Sequence, residues 1–133
     1  MLQELHSLIR AFLHPGDLAA QAAGLEVQQH QALVTIRASR DPAGPTINEV
    51  ARALRIRHHS AGGLIDRLAG RGLVERERSS ADKREVRVRL TEAGELALRS
   101  LAPHHRDELR SAAPALLRAL SELLERAAGM EQA

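Results

Sequence analysis

Between Thr46 and Leu90 the hydrophobic period of the chain changes from that of a helix to that of a strand. Ile47, Val50, Ala51 and Leu54 recur at the spacing of one helical face. After Arg55-Ile56-Arg57 a second helical run is predicted from about His58 to Ala69, and Gly70 to Gly72 ends it. The period then drops to two. Leu73-Val74-Glu75-Arg76-Glu77-Arg78 and Glu85-Val86-Arg87-Val88-Arg89-Leu90 alternate as a pair of strands about the polar loop Ser79-Ser80-Ala81-Asp82-Lys83-Arg84. Thr46-Ile47-Asn48-Glu49 has the form of a capping box, with a hydroxyl able to accept from the backbone three residues on and Glu49 able to reach back, so the first helix is predicted to begin there.

The segments on either side read as helix. Leu2, Leu5, Leu8, Ile9, Phe12 and Leu13 form an amphipathic stripe that Pro15-Gly16 stops. Leu18 to Ala23 adds a short turn, Leu25 to Arg40 a longer helix, and Asp41-Pro42-Ala43-Gly44-Pro45 a loop. Thr91 is placed to cap a helix continuing through Leu96, Leu98 and Leu101, with Glu92 and Glu95 near its positive end. Pro103 and Pro114 each suit the first turn of a new helix, and Leu116, Leu117, Leu120, Leu123 and Leu124 make a final apolar stripe. With 133 residues the chain suits one domain, about 1–24 and 103–133 flanking a lobe at about 25–102. Its only aromatic residue is Phe12, so Leu, Ile, Val and Ala must build the core.

Charge is segregated. From Arg52 to Arg89 there are eleven Arg and Lys against five Asp and Glu, net +6; the rest has eight against twelve, net −4. A basic middle segment is what a phosphate-binding surface requires. The chain lacks cysteine, which excludes disulfides and thiolate chemistry. No run approaches the roughly 18 apolar residues of a membrane span, so a soluble cytoplasmic protein is expected. A Gly-rich phosphate loop, a nucleophile elbow and convincingly paired acids are all missing from the sequence, so no enzyme is expected. Seven histidines include the pairs His58-His59 and His104-His105, but helical neighbours point about 100° apart and no His-x-x-x-His spacing gathers ligands, so neither a metal nor another cofactor is expected.

Two short helices and a hairpin in this order make a winged helix-turn-helix lobe, in which the second helix enters a DNA major groove and the hairpin tip reaches the backbone or minor groove. The fold class expected is mainly α with a small β-hairpin wing, the lobe flanked by N- and C-terminal helices. Leu2 to Leu13 and Leu116 to Leu124 carry more apolar surface than so small a lobe requires, so these helices either pair with a second copy or fold back on their own lobe.

Leu64-Ile65-Asp66-Arg67-Leu68, Gly72-Leu73-Val74-Glu75-Arg76, Asp82-Lys83-Arg84 and Leu90-Thr91-Glu92-Ala93-Gly94 stand in the order and spacing of the MarR (multiple antibiotic resistance) family, which the chain resembles over nearly its whole length. The resemblance implies a homodimer whose terminal helices intertwine, each lobe reading half of a pseudo-palindromic operator in double-stranded DNA. It implies a transcriptional regulator, a repressor in the first instance, released by a small-molecule effector of unknown identity that enters between the dimer helices and the lobe. It also implies that Arg84 enters the minor groove while Asp82 steadies it and Lys83 occupies the variable place between them.

On the second helix the residues at or near the DNA-facing side are Arg57, His58, His59, Ser60, Gly62, Gly63 and Arg67, with Arg78 on the hairpin. Ser60 suits a phosphate hydrogen bond, and Arg57 and Arg67 suit charge-assisted contacts that position without reading sequence. Gly62 and Gly63 depart from the family's larger polar residues; they offer no side chain to a base edge and admit either a closer backbone approach or plain tolerance. Arg57 stands where Ser or Thr commonly caps the helix. The competing reading is a winged-helix assembly module that binds protein rather than an operator, for which a charged hairpin tip would be unnecessary.

Overall fold

The computed structural model describes residues 2–13, 17–79 and 84–132, the side chains of 17, 18, 102, 104, 105, 131 and 132 aside. Its elements in chain order are α1 (Leu2–Leu13), α2 (Asp17–Ala22), α3 (Val27–Ala38), α4 (Ile47–Leu54), α5 (His58–Gly70), β1 (Val74–Arg78), β2 (Val86–Leu90) and α6 (Glu92–Gln132). The chain divides into two compact units, residues 17–101 and residues 1–16 with 102–133.

The 17–101 unit is the winged helix-turn-helix. Thr46 caps α4 as its sequence foretold: its Oγ1 accepts from the Glu49 amide at 3.1 Å. The inner stripes of the helices supply the core, where Leu33, Val50, Leu64, Ile65, Leu68 and Val88 are fully buried. Each such aliphatic contributes about 1.5–3 kcal/mol relative to exposure. β1 and β2 pair antiparallel with Val74 opposite Leu90 and Arg78 opposite Val86.

The loop before α4 is more ordered than its Pro/Gly composition suggests. The Val88 amide donates to the Pro45 carbonyl (2.9 Å), and Thr46 bridges Arg87, so the segment lies beside β2 as a short third edge. Arg87 anchors it, donating through Nη1 to Asp41 Oδ2 (2.9 Å) and to the Gly44 carbonyl (3.0 Å). At the other end of the hairpin Thr91 does double duty. Its hydroxyl donates to the Gly72 carbonyl (2.6 Å) and accepts from the Gly94 amide (3.1 Å), which caps α6 and closes the wing. Gly94 itself leaves no room for a side chain, since a Cβ there would stand 2.1 Å from the Leu73 carbonyl oxygen.

The expectation of fresh helices at Pro103 and Pro114 is corrected: α6 runs unbroken through both. A proline inside a helix deletes the bond its own nitrogen would make and crowds the preceding turn. In a helix of 41 residues those two gaps leave most of the ladder intact, and the surrounding Leu, Ala, Arg and Glu are strong helix formers.

In the 1–16 and 102–133 unit, α1 has no fully buried residue. Leu2, Leu5 and Leu8 line a shallow groove with Ala115, Ala119 and Leu123 of α6. Leu117 and Leu124 stand 68 % and 71 % exposed, with Leu120, Leu123 and Met130 also exposed. This is much more aliphatic surface than an isolated helix pair leaves in water.

Candidate nucleic-acid interface

Helix α5 buries Ala61, Leu64, Ile65 and Leu68. Helical geometry therefore sets His59, Gly63, Asp66, Arg67 and Gly70 on the opposite face. His58, His59 and Ser60 of the first turn are exposed, as is Arg57 just before it. Arg57 occupies the N-cap without a side-chain capping bond, in keeping with the absence of a Ser or Thr there. Gly62 and Gly63 follow, half-buried and helical. A methyl group on Gly62 would meet nothing within 4 Å, and one on Gly63 only the Arg67 Nη1 at 3.6 Å. Packing within the lobe therefore does not demand glycine at either place, and the middle of the outward face is bare backbone.

Arg78 ends β1 and Arg84 precedes β2, both exposed on the hairpin. Asp82 and Lys83 lie outside the described residues. The structure thus carries the predicted side chains on two neighbouring elements, α5 and the wing, which pack against one another.

Four basic residues of the segment are engaged in holding the lobe together. Arg87 binds Asp41, and Arg89 donates to Glu77 across the hairpin at 3.0 Å. Arg76 donates to the Asp66 carboxylate, joining β1 to α5. Arg71, just past α5, donates to the Gly24 carbonyl (2.9 Å) and Gln29 Oε1 (3.1 Å), clasping the α2–α3 junction. By contrast Arg52, Arg55, Arg57 and Arg67 are exposed, and among the described residues no carboxylate pairs with any of them. Within the Arg52–Arg89 segment, these four guanidinium groups lie on α5, at the end of α4 and in the turn between them.

Two residues here escaped the sequence reading. Asn48 on α4 accepts at Oδ1 from the His58 ring Nδ1, so one of the predicted contact residues is fixed by the preceding helix. Asp66 places a carboxylate on the outward face of α5, where it would repel phosphate, and Arg76 offsets that charge. Both partners lie ten residues away along the chain, a separation at which no local pattern announces a contact.

Among the described residues no group of three or more His, Asp or Glu side chains is gathered to hold a metal ion. None of their helices is long and apolar enough to cross a membrane.

The same architecture recurs in solved structures. E. coli MarR in its apo form is similar over 96 % of this chain and 95 % of its own, at 21 % identity and a TM-score of 0.70. The S. aureus MepR–DNA complex is similar over 96 % and 89 %, at 16 % identity and a TM-score of 0.67. BpsR of Bordetella bronchiseptica, whose DNA binding is regulated by 6-hydroxynicotinic acid, is similar over 92 % and 96 %, at 26 % identity and a TM-score of 0.63. No curated protein sequence matches the chain significantly. The sequence model of the MarR family matches residues 23–85, from the start of the lobe to the far side of the wing loop, and with the fold shared over nearly the whole length, the chain is similar to the MarR family in its lobe and to MarR in its fold.

Proposed function

We propose that this protein is a DNA-binding transcriptional regulator that acts as a homodimer, setting α5 of each protomer in a major groove of a pseudo-palindromic operator with the wing alongside. The observation that carries the reading is the sorting of charge. Within the basic segment, Arg71, Arg76, Arg87 and Arg89 are engaged with carboxylates and carbonyls of the lobe, while Arg52, Arg55, Arg57 and Arg67, which no described carboxylate pairs, lie on α5, at the end of α4 and in the turn between them. A protein-binding adaptor would have no use for that distribution, whereas a phosphate backbone needs it. Similarity to the MarR family agrees, and MepR and MarR, which share the fold, have been seen with DNA.

The contact residues assigned are Arg57, His58, His59, Ser60, Gly62, Gly63 and Arg67 around α5, with Arg78, Asp82, Lys83 and Arg84 on the wing. The second copy is assigned to the aliphatic stripe of the terminal helices, because Leu117, Leu120, Leu123 and Leu124 stand exposed along one end of α6 and none of α1 is fully buried in a single chain. Regulation of DNA binding by a small molecule is assigned by similarity to BpsR, and repression by the resemblance to the MarR family.

The test is selection of duplexes from a random pool, followed by titration of the selected and scrambled DNA over a salt series. Preference for an inverted repeat, with affinity falling steeply as salt rises, is the expected outcome. Failure to retain any duplex at low salt would leave the assembly-module reading in its place.

A further inference from the structure

Helices α2, α4 and α5 end on one hydrogen-bond pattern. After α2 the Gly24 amide reaches the Gln21 carbonyl (3.0 Å) and the Leu25 amide that of Ala20 (2.8 Å). After α5 the Gly72 amide reaches Ala69 (2.9 Å) and the Leu73 amide reaches Leu68 (3.1 Å). After α4 the Arg55 amide reaches Arg52 (3.2 Å) and the Ile56 amide reaches Ala51 (3.0 Å). This closure requires one residue in the left-handed region, which glycine adopts without a steric penalty. Two of the three closures use it, Gly24 at φ 89° and Gly72 at φ 74°. The third uses Arg55, at φ 56° and ψ 44°, and among the described residues it is the only non-glycine at positive φ.

Local folding gives no reason for arginine there. The side chain is exposed and makes no hydrogen bond or ion pair among the described residues, so nothing in the lobe repays the strain. Arg52 lies three residues before it, near the same side of the end of α4, and Arg57 two residues after it, immediately before α5; both are likewise exposed and unpaired. Three guanidinium groups thus converge in sequence on the turn that delivers α5. Nearby like charges repel unless an anion lies between them.

We propose that Arg55, with Arg52 and Arg57, is a phosphate contact at the flank of α5, and that its charge is the reason an arginine holds a position whose backbone favours glycine. The inference rests on the DNA-binding reading above and adds to it a residue that neither the motif nor the wing indicates. Being directed at the phosphate backbone, this contact serves every sequence alike and positions α5 without reading bases.

The experiment compares the native chain with Arg55→Gly, Arg55→Asn and Arg55→Lys for thermal unfolding and for binding to a labelled random-sequence duplex over a salt series. Gly and Asn both suit the backbone and remove the charge. They should leave Tm unchanged or raise it, weaken binding about threefold to tenfold at low salt, and reduce the salt slope by about one. Arg55→Lys should keep most of the affinity and the slope. Native-like affinity and slope in the Gly and Asn variants would overturn the proposal, as would a marked fall of Tm in both, since the side chain would then serve the fold. Native protein that leaves the duplex unbound throughout overturns the DNA-binding reading itself, a result distinguishable from the failure of Arg55 alone.

Discussion

Gly44 and Val88 touch so closely that a Cβ built on Gly44 would stand 2.0 Å from the Val88 carbonyl oxygen. The φ of Gly44 is also positive, at 83°, so the loop before α4 can lie against β2 only with glycine at this place. Gly44→Ala should therefore destabilise the lobe by about 2 kcal/mol or more, a fall in Tm of roughly 6–10 °C. Thermal unfolding followed by circular dichroism checks this, and a loss under about 1 kcal/mol would show that the loop shifts without strain.

Gly62→Ala and Gly63→Ala should behave in the opposite sense. Both positions are helical with space for a methyl group, so each change should stabilise α5 by about 0.5–1 kcal/mol. Binding to a selected operator then decides why the glycines are there. If the backbone of α5 comes close to DNA, affinity falls although the fold is more stable. Equal or better binding would assign the two glycines to tolerance.

Asp66→Asn removes a carboxylate from the outward face of α5 and releases Arg76 from its ion pair. Both groups are substantially exposed, at 62 % and 39 %, so the pair is worth at most about 1 kcal/mol to the fold. Affinity for duplex DNA should rise, most at low salt, because a repulsive charge goes and a cation becomes available. Unchanged binding in a salt titration would place this side of α5 away from the phosphates.

On the wing, Arg84→Ala should weaken operator binding more than Lys83→Ala and should also erode a preference for A·T-rich flanks, where a narrow minor groove attracts arginine. Asp82→Ala should resemble a milder Arg84→Ala. Titrations on selected and scrambled duplexes would read the difference. Equal losses for Arg84→Ala and Lys83→Ala on both DNAs would reduce the hairpin tip to a charged surface.

Leu120→Asp and Leu123→Asp should lower dimer formation and fold stability together, since an obligate dimer seldom has a stable lone protomer. Light scattering of the native chain at micromolar concentration is the prior check. A monomeric mass with full helicity would remove the second copy from the assignment.

The local elements were legible because their signals are local. Thr46 announces α4 by the spacing of its hydroxyl from the Glu49 amide, and the change of hydrophobic period after Gly72 announces the hairpin. The same confinement to neighbours misled at Pro103 and Pro114. A proline signals a probable boundary, while the continuity of α6 depends on hydrogen bonds and propensity summed over many turns.

The sequence by itself determined where the helices and strands of the lobe lie, that the basic charge gathers in the segment of α5 and the wing, and which residues are candidates to meet DNA. Tertiary structure decided how that charge is divided. Arg71 reaches back to Gly24 and Gln29, and Arg87 to Asp41, over more than forty residues of chain. A guanidinium engaged across such a distance looks the same in the sequence as Arg55, which is left to solvent. Periodicity records which face of an element is apolar, but only the packing of α3, α4, α5 and the hairpin brings particular donors to particular acceptors, and so separates the arginines that hold the lobe together from those available to a partner.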